Sequence, residues 1–262
     1  MYAHTNGIRT YYEVHGREGA PWLVLAHSLA CSCRMWDPQI EAFRQRYRVL
    51  AYDARGHGAS EAPPGPYTLE LLADDLKALL DALGVERPHY CGLSMGGMIG
   101  QTFALRFPGR LRTLTLADTT SRFPPEVRPV WAERIRTAET QGMEALAPPT
   151  LERWFTAAFR AENPALVDSI RRLIVATPVA GYVGCAHAIV AIDLTARLGA
   201  IACPALVIVG EDDPGTPVAM ARAIHAQLPD ARLVVIPRAA HLTNLEAPVA
   251  FNGALEEFLA VH

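Results

Sequence analysis

Short apolar runs, rich in Val and Leu, recur along the chain at residues 22–26, 49–52, 89–93, 114–117, 205–209 and 233–236. Each is apolar at odd and even positions alike, so a strand built from it hides both faces from water. The segments between the runs carry helical spacing instead. That alternation predicts a mostly parallel β-sheet with helices on both faces, an α/β architecture. Ahead of the first run, Asn6-Gly7 reads as a two-residue hairpin turn, which adds an antiparallel pair.

The helical segments have their own punctuation. Thr68 is placed to cap a helix whose stripe is Leu69, Leu72, Leu76, Leu79, Leu80 and Leu83, with Gly84 ending it. Asp37-Pro38 looks like an N-cap followed by the residue favoured at the first helical position. Further scaffold helices are expected at 217–228, before Pro229, and at 249–259. From 121 to 197 the strand-helix alternation lapses, and the stretch holds Trp131, Trp154, several prolines and an amphipathic segment at 151–159. The expected organisation is a core of residues 1–120 and 198–262 with a helical cap insertion at 121–197. Its place would be over the carboxyl ends of the strands, where open α/β sheets bind ligands.

Charge narrows the function classes. The net charge of −3 comes from 24 basic and 27 acidic residues spread along the chain, so no broad positive field awaits nucleic acid or anionic lipid. No apolar stretch reaches the roughly 18 to 20 residues of a membrane span, and the first residues lack a secretory pattern. Five cysteines without paired spacing are expected to be reduced thiols and not zinc ligands. A cytoplasmic protein without nucleic-acid or membrane partners is the expectation.

The chemistry concentrates at Gly92-Leu93-Ser94-Met95-Gly96-Gly97, directly after one predicted strand and before a helix that runs to Phe107. A serine nucleophile on a sharp strand-to-helix turn needs very small residues two before and two after it, and glycines stand at both. The alternative is an ordinary glycine-rich βα turn. A serine hydroxyl needs a base, and the base needs a partner that fixes its tautomer. His241, four residues beyond Pro237 after the last strand, is the one histidine of nine in the expected place. For the acid, Asp213, Asp212 and Asp118 all follow strands and stay open at this point. The backbone N–H groups of Leu29 and Met95 are the expected oxyanion donors by position. His27 is expected to be structural.

These residues together resemble the α/β-hydrolase superfamily over nearly the whole chain: His27-Ser28-Leu29, Asp53-Ala54-Arg55-Gly56-His57-Gly58-Ala59-Ser60, the Ser94 elbow, Gly210 to Asp213, and His241. The resemblance implies an eight-stranded α/β-hydrolase sheet. It also selects Asp213, three residues after the glycine that ends its strand, and makes the His57 loop a structural turn. Within the superfamily the chain is similar to 3-oxoadipate enol-lactonases through Met35-Trp36-Asp37-Pro38-Gln39, Pro64-Gly65-Pro66-Tyr67-Thr68, Leu151-Glu152-Arg153-Trp154-Phe155-Thr156 and Ala240-His241-Leu242. Ser28 and Ala30-Cys31-Ser32-Cys33 depart from the glycine-containing loop expected of such lactonases.

The resemblance implies a serine hydrolase that opens a lactone or carboxylic ester through an acyl-enzyme, with no metal or organic cofactor required. Trp131 and Trp154 are candidates for the pocket roof. A substrate derived from a dicarboxylate would need a cation, and the insertion offers Arg122, Arg128, Arg134, Arg153 and Arg160. Other substrates on the same triad are a simple ester, another lactone or a C–C bond. A different class altogether would be a small-ligand receptor without turnover.

Overall fold

The computed structural model describes residues 1–262. The chain opens with a hairpin, β1 (Tyr2–Thr5) and β2 (Ile8–His15), turned at Asn6 and Gly7 with φ values of 47° and 78°. Strand and helix then alternate: β3 (Trp22–Ala26), α1 (Asp37–Phe43), β4 (Arg48–Tyr52), α2 (Leu69–Ala82), β5 (His89–Leu93), α3 (Met95–Arg106) and β6 (Thr113–Ala117). Five helices follow without a strand: α4 (Arg128–Gln141), α5 (Met143–Trp154), α6 (Ala157–Glu162), α7 (Pro164–Ala176) and α8 (Val179–Val190). The alternation resumes with β7 (Ala205–Gly210), α9 (Val218–His225), β8 (Ala231–Ile236), α10 (Thr243–Glu246) and α11 (Pro248–Ala260).

All eight strands join one sheet in the order β1-β2-β4-β3-β5-β6-β7-β8. The pairs β1/β2 and β2/β4 are antiparallel; every pair from β4 to β8 is parallel. The central strands β5, β6 and β7 are buried at every position, which is why their sequences are apolar throughout and do not alternate.

Local signals account for some element ends. Thr68 Oγ1 accepts from Leu71 N at 3.1 Å, and the α2 leucines 69, 72, 76, 79 and 80 are buried. Several details differ from the expectations: the helix expected at 217–228 ends at His225, and β8, at the sheet edge, is only partly buried. At α1 the N-cap position belongs to Trp36, and the side-chain cap lies further back: Ser32 starts a 3-10 turn over Cys33–Trp36 that runs straight into the helix. The expected helix 151–159 is split, because Glu246 Oε1 takes both Thr156 N and Thr156 Oγ1, at 3.0 and 2.5 Å. Thr156 then caps α6 through Phe159 N. A partner 90 residues away thus ends α5, and no local pattern could have shown it.

No single helix is long and apolar enough to cross a membrane. The α4–α8 layer is fastened to the sheet at several points. Tyr67 N donates to Gly184 O at 3.1 Å, and Leu242 N to Trp154 O at 3.2 Å. Gly56 and Gly181 meet so closely that a Cβ on Gly181 would lie 1.9 Å from Gly56 O.

Candidate active site

Ser94 stands alone between β5 and α3 with φ 55° and ψ −112°, a conformation that costs a non-glycine residue about 1–3 kcal/mol. Its neighbours hold it there. Ser94 N donates to Ala117 O at 2.8 Å, and Thr119 Oγ1 donates to Ser94 O at 2.7 Å. The flanking glycines are needed sterically: a Cβ on Gly92 would sit 2.3 Å from Gly96 O, and one on Gly96 would sit 2.1 Å from Ala26 O. Any side chain there would push the helix off the sheet.

His241 follows β8, and its Nδ1 lies 2.8 Å from Asp213 Oδ2. Asp213 is 3% exposed, so its charge must be met by hydrogen bonds. Gly215 N and Thr216 N donate to Oδ1 at 2.7 and 3.0 Å, and Thr216 Oγ1 donates to Oδ2 at 2.6 Å. Burial alone would raise the Asp213 pKa, but the facing imidazole and these donors outweigh it and hold the carboxyl below its usual range. Burial works against charge on His241 too. The Asp213 carboxylate more than compensates, and the ring's pKa is raised above its ordinary 6.5. The pairing leaves Nε2 free of Asp213. Ser94 and His241 line the same cavity. No hydrogen bond joins them in this structure; such contacts tighten when substrate is bound.

Asp118, another of the three candidate carboxyls, points elsewhere. Its Oδ1 accepts from Gly210 N at 2.9 Å and its Oδ2 is paired with Thr243 Oγ1. Complete burial, and then the nearby Asp213 charge, push its pKa well above the carboxylate range. Asp212 is exposed.

Leu29 N makes no bond to a protein acceptor, and Met95 N is one of the first-turn helix donors that have no partner within the helix. The loop carrying Leu29 is pinned by two histidines. Ala54 N donates to His27 Nε2 at 2.9 Å, and His27 Nδ1 contacts Ser28 O at 2.7 Å. Ala30 N donates to His57 Nε2 at 3.0 Å. Burial lowers the His27 pKa to about 4; burial, with His27 beside it, lowers that of His57 to about 3. Both rings are therefore neutral acceptors that hold the loop in place.

The cavity has a volume of about 190 Å³, somewhat more than the ~150 Å³ that admits a benzene-sized molecule, which suits a small acyl group. Trp131 and Trp154 both line it, and Trp154 stacks on the His241 ring at 6.2 Å between centroids and 26° between planes. Nowhere does the protein bring three His, Cys, Asp or Glu side chains together as a metal would need.

Residues 21–248 match the family model described as the alpha/beta hydrolase fold. The chain belongs to the α/β-hydrolase family. A solved enol-lactonase from Burkholderia xenovorans superposes on this α/β hydrolase with a TM-score of 0.95 at 41% identity, covering 99% of this chain and 100% of that one. A 3-oxoadipate enol-lactonase from Acinetobacter baylyi is 36% identical over 94% of this chain and 91% of its own length. A thermophilic esterase from Thermogutta terrifontis, solved with malate bound, gives a TM-score of 0.92 at 31% identity over 99% of this chain and 97% of that one. The protein is a hydrolase acting on ester-type bonds.

Sequence reasoning had not assigned three features of this α/β hydrolase. The loop-pinning role of His57 was invisible, since its partner, Ala30 N, lies 27 residues away. Thr216, which supports Asp213 from three residues on, carries a recognisable signal: a hydroxyl residue just past a loop carboxylate is placed to cap it. The third is the choice of arginines at the cavity, where only Arg134 and Arg153 of the five candidates lie.

Proposed function

We propose that this hydrolase opens a lactone or carboxylic ester by acyl transfer to Ser94, with His241 as general base and Asp213 as the acid that orients it. The observation that carries this is the meeting of three separate loops at one cavity: the strained Ser94 turn and a buried imidazole whose Nδ1 is held 2.8 Å from a carboxylate. Ser94 Oγ attacks the carbonyl carbon and passes its proton to His241 Nε2. The imidazolium, stabilised by Asp213, returns that proton to the leaving oxygen, and the acyl group stays on Ser94. Water then adds to the acyl carbon, giving its proton to His241, and collapse restores the Ser94 hydroxyl. The Leu29 and Met95 N–H groups stabilise the oxyanion in both steps.

Helices α4–α8 act as a cap insertion, residues 121–197, over a core of 1–120 and 198–262. Trp131 and Trp154 roof the acyl site. We assign the substrate as 3-oxoadipate enol-lactone or a close analogue, supported by the enol-lactonase relatives that span nearly the full chain. In that case the leaving enolate oxygen stays tethered to the acyl unit and its enol becomes a ketone. The five free cysteines support a cytoplasmic setting.

The test is a panel of enol-lactone, saturated γ-lactones and aryl esters. Expected is a kcat/KM for the enol-lactone at least ~100-fold above that for 4-nitrophenyl acetate, since bound-arm contacts of a few kcal/mol act only on the former. A panel led by simple esters would favour the second reading, a carboxylesterase, which the Thermogutta relative supports.

A further inference from the structure

The backbone on both sides of His241 is tied to the end of α5, and one carboxyl makes the junction. Glu246, the last residue of α10, is half-buried. Its Oε2 accepts from Ala240 N at 2.8 Å, and its Oε1 accepts from Thr156 N and Thr156 Oγ1 at 3.0 and 2.5 Å. On the other side of the histidine, Leu242 N donates to Trp154 O at 3.2 Å. A carboxyl at the end of a four-residue helix would ordinarily face water. Here both of its oxygens are used, on donors from two loops that are far apart in the chain.

Bonds from the sheet side do not reach the residues that flank His241. They stop at Ala239, whose carbonyl accepts from Asp212 N at 2.9 Å, and resume at Thr243, whose Oγ1 pairs with Asp118. Ala240 and Leu242 lie between, and their N–H groups go to Glu246 and to Trp154. The stretch of chain that carries the imidazole is thus held from the helical layer above it.

The imidazole needs that support. Asp213 grips Nδ1 at 2.8 Å, but one hydrogen bond is a pivot, about which the ring can turn and carry Nε2 towards or away from Ser94. Two things limit the turn: the path of the backbone through 240–242, and the Trp154 indole, which lies over the imidazole at 6.2 Å and 26°. Trp154 is the last residue of α5, two before Thr156, so its carbonyl and its ring both belong to the segment that Glu246 fastens. A misplacement of about 1 Å at a reacting group costs on the order of 100-fold in rate, so the holding of this segment bears directly on proton transfer.

We propose that Glu246 is a positioning residue for the reaction: it clasps the α5–α6 turn to the His241 loop, so that the helical layer, through Trp154, sets where Nε2 stands against Ser94. This rests on the hydrolytic reading of Ser94 and His241. Glu246 touches neither substrate nor imidazole and acts only through the Ala240 backbone and through Thr156. Lifting the α5 end off the sheet disengages the base.

The experiment measures hydrolysis of 4-nitrophenyl acetate well below the Tm of each protein, for Glu246→Ala, Glu246→Gln, Thr156→Val, Thr156→Ser and the double variant Glu246→Ala with Thr156→Val. Glu246→Ala should lower kcat by ~10- to 100-fold with KM within ~3-fold, because a displaced base is felt in the transition state and not in substrate binding. Glu246→Gln, which keeps one acceptor oxygen, should be intermediate. Thr156→Val should lower kcat at least ~3-fold, and Thr156→Ser, which keeps the hydroxyl, should restore it. The decisive reading is the cycle: once Glu246 is Ala, Thr156→Val should cost less than ~2-fold more, since the two act as one unit. A tie that serves stability alone would lower Tm and leave the kcat of the folded enzyme unchanged. That result, or losses that multiply in the double variant, overturns the clasp. Failure of the hydrolytic reading looks different: Ser94→Ala would then retain turnover, whereas an inactive Ser94→Ala beside a wild-type kcat in Glu246→Ala removes the clasp alone. If the Glu246 variants do not fold, Thr156→Val against Thr156→Ser decides it, equal kcat values overturning the proposal.

Discussion

Two buried carboxyls, Asp213 and Asp118, lie within electrostatic reach of one imidazole, and their surroundings shift them in opposite directions. Asp213 has donors on both oxygens and a ring beside it; Asp118 has one backbone donor, one threonine and the repulsion of Asp213. Asp213→Asn should therefore lower kcat by about 10³- to 10⁴-fold, because the amide favours the wrong His241 tautomer. Asp118→Asn, which keeps the shape and can still accept from Gly210 N, should stay within ~3-fold of wild type. The pH profile separates the two further. In the proposed mechanism His241 must be neutral to accept a proton, and Asp213 raises its pKa above 6.5. Activity is thus lost as pH falls through a midpoint above 6.5, and Asp213→Asn should move the residual activity's acid limb to lower pH. A limb that stays in place in Asp213→Asn but moves in Asp118→Asn would transfer the role to Asp118.

At the scale of elements, the α8–core contact is the most sensitive joint. Gly181 faces Gly56 with no room for a Cβ, and the next residue, Tyr182, lines the cavity. Gly181→Ala should force α8 outward. Overpacking of this kind costs about 1–3 kcal/mol, or a Tm lower by roughly 2–10 °C for a chain of this size. A calorimetric scan and a KM for 4-nitrophenyl acetate, expected to rise several-fold, check it together. An unchanged Tm and KM would show that the joint yields without consequence. This joint was not legible in the sequence, although the strands and the Ser94 turn were, and the difference is physical. A fully apolar five-residue run or a glycine two places from a serine states its own constraint locally. The end of α5 at Thr156, the loop pins on His27 and His57, and the inward face of α4 and α5 that carries Arg134 and Arg153 depend on partners tens to hundreds of residues away. Helical spacing shows that α4 and α5 have an inner face; which arginine lies on it follows only once the layer has docked.

Across the whole molecule, the sheet and the α4–α8 layer share one continuous core. Leu93 and Ile208 of the strands belong to the same buried cluster as Leu146, Ile174 and Tyr182 of the helices. The layer should therefore not melt ahead of the sheet: scanning calorimetry should give one transition with calorimetric and van't Hoff enthalpies in agreement, whereas two resolved transitions would make the helical layer an independent unit. That continuity lets Ser94, the Asp213 loop and the His241 loop, drawn from β5, β7 and β8, be held as one rigid arrangement. Covalent trapping tests that arrangement most directly. Wild-type protein and a His241→Ala variant are treated with an alkyl fluorophosphonate and followed by intact-mass and peptide mass spectrometry. Expected is one adduct per wild-type chain, on Ser94, with labelling at least ~10³-fold slower in the variant. Labelling of another residue, or equal rates in the two proteins, would contradict a serine activated by His241.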